Sequence, residues 1–374
     1  MKDVRRMVVK VGTGIIAEES GRISRERVML LVDQVVSARH RGIDTALVSS
    51  GAIAAGMEKM GLEKRPSDME SLQAVAAVGQ GLLIHMYTDM FAANGVPVGQ
   101  VLLTQYDITH RQQYLNARQT LERLFEMGIV PIINENDTVA TEEIKFGEND
   151  LLAALVASLA GADLLVLLTD TEGLHTADPG KDEGATLLRR VERITEEIEE
   201  FGGEAGSRLG SGGMSSKVQA AKIAVSSGVH TIIADGRSPG VLSEILDGKE
   251  VGTCFPASAK FKSKKHWIGY AKMTSGRLVI DDGASRAIRE SGKSLLPAGV
   301  VEVEGDFQVG DALEIVDLEA RVIGRGLSNY DAVEASRIMG LRSDQIMDIL
   351  GERPEEMIHR DLMTVFEESP SPEE

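Results

Sequence analysis

Two lysines in this sequence stand at positions suited to binding phosphate. Lys10 lies inside Met7–Val11, an apolar run of the kind that forms buried strands and rarely holds a charge. Lys217 follows the glycine- and serine-rich stretch 210–216 at the start of a helix, where amides, hydroxyls and an ammonium group suit an anion. The alternatives are a strand-edge lysine with its ammonium in water and a flexible loop with an incidental lysine. The stretch is not a P-loop, because Lys217 follows Ser216 and not glycine.

A cluster of carboxylates lies between the apolar strand that ends at Ile133 and the apolar helix Leu151–Ala160. Its members are Asp137, Glu142, Glu143, Glu148 and Asp150. Asn149 or Asp150 can cap the start of the helix, but capping needs one such residue, and like charges repel unless a cation lies among them. The pattern therefore indicates a cationic ligand or Mg²⁺ in this loop. The alternative is an acidic loop that faces water.

Two further strands end in small polar residues. Ser49-Ser50-Gly51-Ala52 follows the strand Thr45–Val48, and Thr169-Asp170 follows the strand Leu164–Leu168. Ligands of open α/β sheets bind at the carboxyl ends of parallel strands, and exposed amides there suit a carboxylate or phosphate. Ser50 is therefore a candidate substrate contact, with simple helix capping as the alternative.

These residues are positioned by strands and helices that alternate along the chain. The predicted helices are one capped by Ser24 and others at 71–93, 111–127, 151–160, 218–227 and 241–246. The predicted strands are at 7–11, 45–48, 96–103, 129–133, 164–168, 229–234 and 251–255. The polar stretch 172–184 has room for a hairpin or flap beside a nucleotide, but the sequence does not fix its shape. Continuous apolar strands are typical of parallel sheets covered on both faces. The sequence therefore predicts an α/β fold on a doubly wound, mainly parallel sheet.

The sequence changes character after residue 258. Four lysines and one histidine at 260–266 indicate a solvated linker, and short β-type runs follow at 277–280, 299–304, 312–316 and 321–326. This pattern predicts a small β-barrel-like domain. We expect a first domain at 1–258, a linker at 259–274, the second domain at 275–355, and a C-terminal extension with a disordered tail at 356–374.

Composition disfavours several classes of protein. The formal net charge of −18 and a pI near 4.9 repel nucleic acid and anionic membranes. Cys254 is the only cysteine, so no internal disulfide or thiolate zinc site can form, and the chain fits a reducing cytoplasm. The N-terminal apolar run is too short for a signal sequence, and Asp163 interrupts the longest apolar stretch, so we expect no membrane span.

Six ordered motifs resemble the amino acid kinase family. They are Val9-Lys10-Val11-Gly12, Val48-Ser49-Ser50-Gly51-Ala52, Asn134-Glu135-Asn136-Asp137, Phe146-Gly147-Glu148-Asn149-Asp150, Leu168-Thr169-Asp170 and Gly212-Gly213-Met214-x-x-Lys217. The segments 276–278, 295–300 and 326–330 are similar to the PUA domain that many members of this family carry. Glu148 stands where aspartate is common, and Ser211 and Ser216 stand where threonine is common. Both kinds of exchange keep the functional group.

The resemblance implies a fold and an activity. The expected fold is a three-layer αβα sandwich on an open, mainly parallel sheet, followed by a small β-barrel-like PUA domain. The expected activity is that of a phosphotransferase, which uses ATP and Mg²⁺ to phosphorylate the γ-carboxylate of L-glutamate at the head of proline synthesis. L-proline is expected as a feedback inhibitor, and the chain is expected to form a homo-oligomer, either a dimer or a tetramer.

The resemblance also implies a role for each matching residue. Lys10 and Lys217 are expected to clamp the phosphates, with Asp150 holding both lysines in place. The residues expected to bind the amino acid are Ser50, Asp137, Asn149 and Glu148. The residues expected to bind ATP are Lys10, Thr169, Asp170, Ser211, Gly212, Gly213, Met214, Ser215, Ser216 and Lys217. Mg²⁺ is expected to be held mainly by the ATP phosphates, and the α-ammonium of glutamate supplies the cation that the acidic loop requires.

Two alternatives stay open at this stage. One is a related kinase for acetylglutamate, carbamate, aspartate or a nucleoside monophosphate, although Asp137 disfavours a substrate without an ammonium group. The other is an RNA-binding protein that works through the PUA-like domain. Residues 276–353 contain 15 acidic and 9 basic residues, so their charge disfavours binding to a phosphate backbone.

Overall fold

The chain folds as two compact units. The first comprises residues 1–108 and 114–262, and the second comprises the remaining residues. The computed structural model describes residues 4–18, 20–109, 111–139, 149–182, 184–203, 213–257, 274–342, 345–346, 349 and 356–366. Each unit has its own sheet and its own hydrophobic core.

The first unit is built on one sheet of seven strands. They are β1 Arg6–Val11, β2 Asp44–Ser49, β3 Val98–Leu103, β4 Val130–Glu135, β5 Leu164–Thr169, β6 His230–Asp235 and β7 Thr253–Phe255. Their order in the sheet is β3-β4-β2-β1-β5-β6-β7, and every pairing is parallel except that of β6 with β7. The chain winds to one side of β1 first and to the other side later. Ligands of open α/β sheets bind in the crevice at such a switch point.

Helices cover both faces of this sheet. The helices along this part of the chain are α1 Thr13–Ile16, α2 Arg25–His40, α3 Ala52–Met60, α4 Met69–Ala92, α5 Gln105–Thr109, α6 Arg111–Glu126, α7 Asp150–Leu159, α8 Glu196–Phe201, α9 Met214–Ser226 and α10 Val241–Leu246. Helix α7 packs on β1 and β5 and α9 packs on β6, whereas α2 packs on β2 beside α4 and α10. The predicted doubly wound sheet is therefore confirmed. Within the described part of the chain, none of the helices has both the length and the apolar character needed to span a bilayer.

The alternation of side chains along β1 explains how a lysine comes to lie inside the sheet. Met7, Val9 and Val11 point into the core that the sheet shares with α2. Lys10 points to the opposite face, where α7 packs on β1. Because β1 lies between β2 and β5, Lys10 is in a central strand and is 1% exposed. The strand-edge alternative for Lys10 is therefore wrong.

The limits of two helices differ from the sequence-based limits for local reasons. Helix α4 begins at Met69, two residues before the predicted start, because the Asp68 carboxylate accepts a hydrogen bond of 2.9 Å from the Ser71 amide and caps the helix. Helix α9 begins at Met214, four residues before the predicted start. Lys217 therefore lies in the first turn of α9. The strands of the first unit agree with their predicted limits to within two residues at either end.

Helices α3 and α4 cross at very short range, and two glycines make this approach possible. A Cβ atom at Gly79 would lie 1.8 Å from the carbonyl oxygen of Ala52, and one at Gly56 would lie 2.0 Å from that of Val75. Both contacts are with backbone atoms, which cannot rotate away as a side chain can. Because α3 begins directly after Ser50-Gly51, the crossing fixes the Ser50 loop against α4.

We expect Gly79→Ala to destabilise the protein and Gly81→Ala on the same helix to stabilise it. The added methyl group at Gly79 forces the two helices apart, and overpacking of this kind typically costs about 1–3 kcal/mol. A Cβ at Gly81 meets nothing within 4 Å, and alanine in a helix is favoured over glycine by about 1 kcal/mol. Thermal unfolding of the two variants checks this pair. Shifts of the same sign in both melting temperatures would contradict the close crossing.

The second unit contains a mixed sheet of five strands. They are β8 Gly276–Ile280, β9 Val300–Gly305, β10 Ala312–Val316, β11 Val322–Leu327 and β12 Met363–Val365, in the order β12-β11-β10-β8-β9. Only β8 and β10 pair in parallel. The elements of this unit that are described from end to end also include the helices α11 Asp282–Ser291 and α12 Ala332–Ile338 and the 3₁₀ turns Pro297–Gly299 and Arg360–Leu362. The predicted second domain of short strands is therefore confirmed.

Strand β12 belongs to the second sheet although it lies in the segment 356–374, which the sequence predicts to be an extension. It pairs with β11, with Val365 opposite Gly324 and Met363 opposite Gly326. A strand of three residues carries too little periodicity to be predicted from the sequence. Residues 258–273 and 367–374, which include almost all of the predicted linker and the tail, lie outside the described residues. The domain limits stay a prediction.

Candidate active site

Three charged side chains meet beside the central strand of the first sheet. Lys10 Nζ lies 2.7 Å from Asp150 Oδ1, and Lys217 Nζ lies 3.2 Å from Asp150 Oδ2. Lys10 comes from β1, Asp150 is the first residue of α7, and Lys217 lies in the first turn of α9. The side chain of Asp150 is 0% exposed, and those of the two lysines are 1% and 6% exposed. The structure thus brings together three of the residues selected from the sequence.

Asp150 is held in its ionised form by its neighbours. Burial alone would raise the pKa of its carboxyl, but the charges of Lys10 and Lys217 and hydrogen bonds from Lys10 and Ser216 outweigh burial and lower this pKa below that of an ordinary aspartate. Ser216 Oγ lies 2.7 Å from Asp150 Oδ2. Two ammonium groups and one carboxylate leave one net positive charge in a site that water reaches poorly. Such a site suits an anionic ligand.

Asn149 occupies the N-cap position of α7, as the sequence suggested, but its side chain does not cap the helix. Its backbone is in the left-handed region, with φ at 60°, which asparagine tolerates better than most residues. Its Nδ2 instead donates hydrogen bonds to the carbonyl oxygen of Ser49 at 2.9 Å, to Asn134 Oδ1 at 2.7 Å and to Ser50 Oγ at 3.2 Å. The expectation of a side-chain cap from Asn149 or Asp150 is wrong, because both side chains are used inside the site.

The loop after β2 contacts the Asn149 side chain and forms one side of the site. The Ser50 amide donates to the carbonyl oxygen of Val11 at 3.1 Å, which ties the loop to β1. Gly51, with φ at 108°, is the N-cap residue of α3, and no side chain caps that helix. The capping alternative for Ser50 is therefore wrong. Its hydroxyl contacts Asn149, and the neighbouring Ser49 Oγ pairs with the buried Tyr87 hydroxyl at 2.9 Å.

The acidic loop is described only in part. Asp137 lies two residues beyond the end of β4 and is half-buried. Glu142, Glu143 and Glu148 belong to the segment 140–148, which lies outside the described residues. Of the carboxylates predicted in the acidic loop before Asp150, the structure therefore describes Asp137. It lies near the carboxyl end of β4, at the same edge of the sheet as the other site residues.

Thr169 and Asp170 lie at the carboxyl end of β5, beside the end of β6. The Gly236 amide donates to the carbonyl oxygen of Thr169 at 2.9 Å. Arg237 donates from Nη2 to the carbonyl oxygen of Asp170 and from Nε to Asp235 Oδ1 at 3.0 Å. This arginine therefore ties the Thr169-Asp170 turn to the end of β6.

The start of α9 presents a second set of backbone donors. Gly213 is its N-cap residue, and Met214, Ser215 and Ser216 form the half-buried first turn, whose amides have no partner within the helix. Ser211 and Gly212 lie outside the described residues. After β5, at a stretch whose shape the sequence does not fix, His175 and Leu187 make an antiparallel bridge.

Several residues of the site were not selected from the sequence. Gln80 and Tyr87 reach the site from α4, and Arg237 reaches it from the loop after β6. Asn134 belongs to a quoted motif but was given no role. The available signal was weak, because Gln80 is one polar residue in a largely apolar helix and its contact with Asn134 of β4 joins residues that lie far apart in the sequence.

Comparison with known proteins identifies the family. The amino acid kinase family model matches residues 5–235, and the PUA domain model matches residues 276–350. The chain therefore belongs to the amino acid kinase family, and a PUA domain follows the kinase domain. The resemblance seen in the six sequence motifs is confirmed.

Relatives similar over nearly the whole chain carry a more specific name. A protein named glutamate 5-kinase from Moorella thermoacetica is 46% identical over 368 residues, which is 98% of this chain and 97% of that protein. One of the same name from Myxococcus xanthus is 47% identical over 368 residues, again 98% of this chain and 97% of that protein. Among solved structures, carbamate kinase from Giardia lamblia bound to AMP-PNP aligns with a TM-score of 0.50 at 18% identity, over 69% of this chain and 100% of that chain. At that identity, the likeness supports the fold alone.

Proposed function

We propose that this enzyme transfers the γ-phosphoryl group of ATP to the γ-carboxylate of L-glutamate and forms L-glutamyl 5-phosphate, the first step of proline synthesis. The names of the full-length relatives support this reaction and substrate. The two reactants are both anions. The site must therefore supply positive charge and hydrogen-bond donors around the phosphoryl group that is transferred. It needs no general base, because the acceptor carboxylate is already ionised at neutral pH.

The observation that carries the proposal is that two neighbouring residues face different halves of one site. Asn149 contacts the Ser49-Ser50 loop, and Asp150 contacts Lys10 and Lys217. A half with groups suited to an amino acid and a half with positive charge are thus joined by one peptide unit. Phosphoryl transfer depends on such closeness, because catalysis of this reaction consists of positioning and electrostatic stabilisation.

The two lysines act on the phosphates in this reaction. Lys10 and Lys217 bind phosphoryl oxygens, and Lys217 acts chiefly in the transition state, when charge spreads over the transferred group. Asp150 keeps both ammonium groups in place without neutralising the site. Backbone amides at the start of α9, together with Thr169 and Asp170, bind the rest of the nucleotide.

The site suits Mg²⁺ that arrives with ATP and is held mainly by its phosphates. Both oxygens of the buried Asp150 carboxylate are in contact with cationic or hydroxyl groups. Asp150 is therefore better suited to holding the two lysines than to binding a metal ion. Magnesium sites in kinases commonly combine one or two carboxylates with substrate phosphates and water. When bound, Mg²⁺ neutralises charge on the phosphate oxygens.

The acceptor half binds the amino acid through its two charged ends. Asp137, joined by Glu148 of the acidic loop, pairs with the α-ammonium group, and Asn149 contributes its side-chain oxygen. Backbone amides near Ser50 bind the α-carboxylate. The γ-carboxylate is then left to point towards the lysine pair.

A substrate panel tests the proposed function. The protein is incubated with MgATP, hydroxylamine and one of L-glutamate, N-acetyl-L-glutamate, L-aspartate or UMP, and both ADP and hydroxamate are measured. We expect hydroxamate and ADP in equal amounts with L-glutamate and little with the others. Faster reaction with N-acetyl-L-glutamate, or ADP without hydroxamate in the presence of UMP, would identify another member of the family.

We expect L-proline to inhibit by competing with glutamate. Proline keeps an α-carboxylate and a cationic nitrogen but lacks the γ-carboxylate that attacks ATP. Its ring nitrogen has two N–H donors where glutamate has three, so substitutions between Asp137 and Asn149 should weaken proline more than glutamate. Titration of proline at several glutamate concentrations checks this. Inhibition that high glutamate does not relieve, and that disappears when the chain ends at Ser258, would assign proline to the second domain.

We expect a chain that ends at Ser258 to fold and to phosphorylate glutamate. Every residue with a proposed catalytic or binding role precedes that position, and the described part of residues 1–258 has its own sheet and core. The measurement is hydroxamate formation by the truncated protein beside the full chain. A soluble truncated protein that binds ATP but does not turn over glutamate would contradict the proposed division at residues 258 and 275.

A further inference from the structure

Three amide side chains form a directed series of hydrogen bonds from α4 to the acceptor half of the site. Asn134 Nδ2 donates to Gln80 Oε1 at 2.7 Å, and Asn149 Nδ2 donates to Asn134 Oδ1 at 2.7 Å. The amide of Glu135 also donates to Asn134 Oδ1, at 2.9 Å. Asn134 and Asn149 are 3% and 6% exposed. The series is therefore buried at its inner end and begins at the half-buried Gln80.

The direction of the series follows from the chemistry of a carboxamide, which has one acceptor oxygen and one donor nitrogen. Because the Gln80 oxygen faces Asn134, the nitrogen of Asn134 must face Gln80 and its oxygen must face Asn149. The nitrogen of Asn149 is then turned inwards, towards Asn134 Oδ1, the Ser49 carbonyl oxygen and Ser50 Oγ. Reversing Asn149 alone would set its oxygen against two acceptors, the Ser49 carbonyl oxygen and Asn134 Oδ1.

We propose that Gln80 is a positioning residue that, together with the Glu135 amide and the Ser49 carbonyl oxygen, fixes the orientation of the Asn149 carboxamide, so that Asn149 presents its oxygen and not its nitrogen to the substrate. The inference rests on the proposed function, in which Asn149 binds the amino acid. The described residues include no donor to Asn149 Oδ1. An oxygen in this place accepts a hydrogen bond from an ammonium group. A nitrogen in the same place would repel it.

The backbone around Gln80 supports this role. Gly79 packs directly on the carbonyl oxygen of Ala52, in the first turn of α3, so the adjacent Gln80 is held at a fixed distance from the Ser50 loop. Asn149 is fixed in turn by its left-handed backbone. Both ends of the series are thus rigid, and the side-chain amides are the groups that could still rotate.

The specificity of the site follows from this orientation. Glutarate has the same two carboxylates as glutamate but no ammonium group, so it gains nothing from the Asn149 oxygen. If Gln80 sets the orientation, its loss should weaken glutamate binding and leave glutarate binding equal or stronger. ATP binding should be little affected, because the series does not reach Lys10, Lys217 or α9.

The test compares Gln80→Met, Gln80→Lys and Gln80→Glu with the parent protein. Methionine has similar length and no side-chain oxygen, lysine offers only donors and would face the donor nitrogen of Asn134, and glutamate keeps an oxygen that accepts from Asn134. Gln119→Met on α6, where the glutamine is exposed, is the matched control. Steady-state kinetics give KM for glutamate and for ATP, glutarate is titrated as an inhibitor against glutamate, and melting curves report folding.

We expect Gln80→Met and Gln80→Lys to raise KM for glutamate about tenfold, as for loss of a hydrogen bond to a charged group, with KM for ATP changed less than about twofold. Inhibition by glutarate should stay equal or strengthen, and Gln80→Glu should recover most of the glutamate affinity. Folded variants whose KM for glutamate stays within about twofold of the parent would overturn the inference. Equal rises in KM for glutamate, in KM for ATP and in the inhibition constant for glutarate would also overturn it, because they would indicate a general disturbance of the site.

If one variant fails to fold, the other two still decide the question. A parent protein that forms no hydroxamate from glutamate would refute the proposed function and this inference together. A parent that is active on glutamate, with Gln80 variants like the parent, would refute only the inference.

Discussion

Replacing Lys217 with alanine is expected to lower kcat by on the order of 10²–10³, with smaller changes in KM for glutamate and for ATP. The ammonium group lies 3.2 Å from Asp150 and comes from the first turn of α9, whose amides bind the nucleotide in the proposed reaction. An interaction made mainly in the transition state acts on kcat, because it does not stabilise the bound substrates. Initial rates at saturating substrate measure the effect.

Lys222→Ala is the matched control for this experiment. Lys222 lies on the same helix but forms an ion pair with Glu199 and is 37% exposed. We expect its kcat to equal that of the parent. A Lys217→Ala enzyme within about threefold of the parent in kcat would contradict the role of Lys217, since that change corresponds to only ~0.7 kcal/mol.

Replacing Asp150 with asparagine is expected to reduce both activity and stability. The change leaves two buried ammonium groups without their shared carboxylate, and loss of one partner from a buried ion pair typically costs about 3–5 kcal/mol. We expect kcat to fall by on the order of 10²–10³, because both lysines lose their position. The free energy of unfolding and kcat are measured in the same preparation, with the exposed Asp89→Asn on α4 as the control.

The Asp150→Asn variant should also differ from the parent in how its stability depends on pH. Because the pKa of Asp150 is lowered in the folded protein, its ionised form contributes stability above the ordinary aspartate value of 3.8, and this contribution is lost as pH falls through the lower folded value. Asp150→Asn should lack this part of the acid sensitivity. MgATP should raise the melting temperature of the variant more than that of the parent, because phosphates replace the missing anion. If the stability of the variant fell with decreasing pH as that of the parent does, the stabilising contribution of ionised Asp150 would be contradicted.

The fold was largely predictable because the strands of the first unit are buried on both faces. β5, with all six residues buried, is an unbroken apolar run in the sequence, and such runs between periodic helices leave few alternatives to a parallel sheet. Strand β12 was not predictable, since three residues carry no pattern and its place depends on pairing with β11. The early start of α9 was missed because glycines and serines precede it, and both disfavour a helix interior.

The candidate site was predictable where a residue type conflicts with its surroundings. Lys10 in an apolar strand requires a buried anion, and Asp150 supplies it. The roles of Asn149 and Gln80 were less visible, because they depend on orientation: a left-handed backbone in the first case and a contact with Asn134 of β4 in the second. Sequence spacing cannot show which atom of a carboxamide faces a ligand.

The most direct measurement uses L-glutamate labelled with ¹⁸O in both oxygens of the γ-carboxylate. The labelled substrate is incubated with the protein, MgATP and hydroxylamine, and the released phosphate is analysed by mass spectrometry. Attack by the γ-carboxylate places one labelled oxygen between carbon and phosphorus, and hydroxylamine then expels it with the phosphate. We expect one ¹⁸O atom in each phosphate and formation of the γ-hydroxamate. Phosphate without ¹⁸O would show that water or another group accepts the phosphoryl group, and would contradict the proposed reaction.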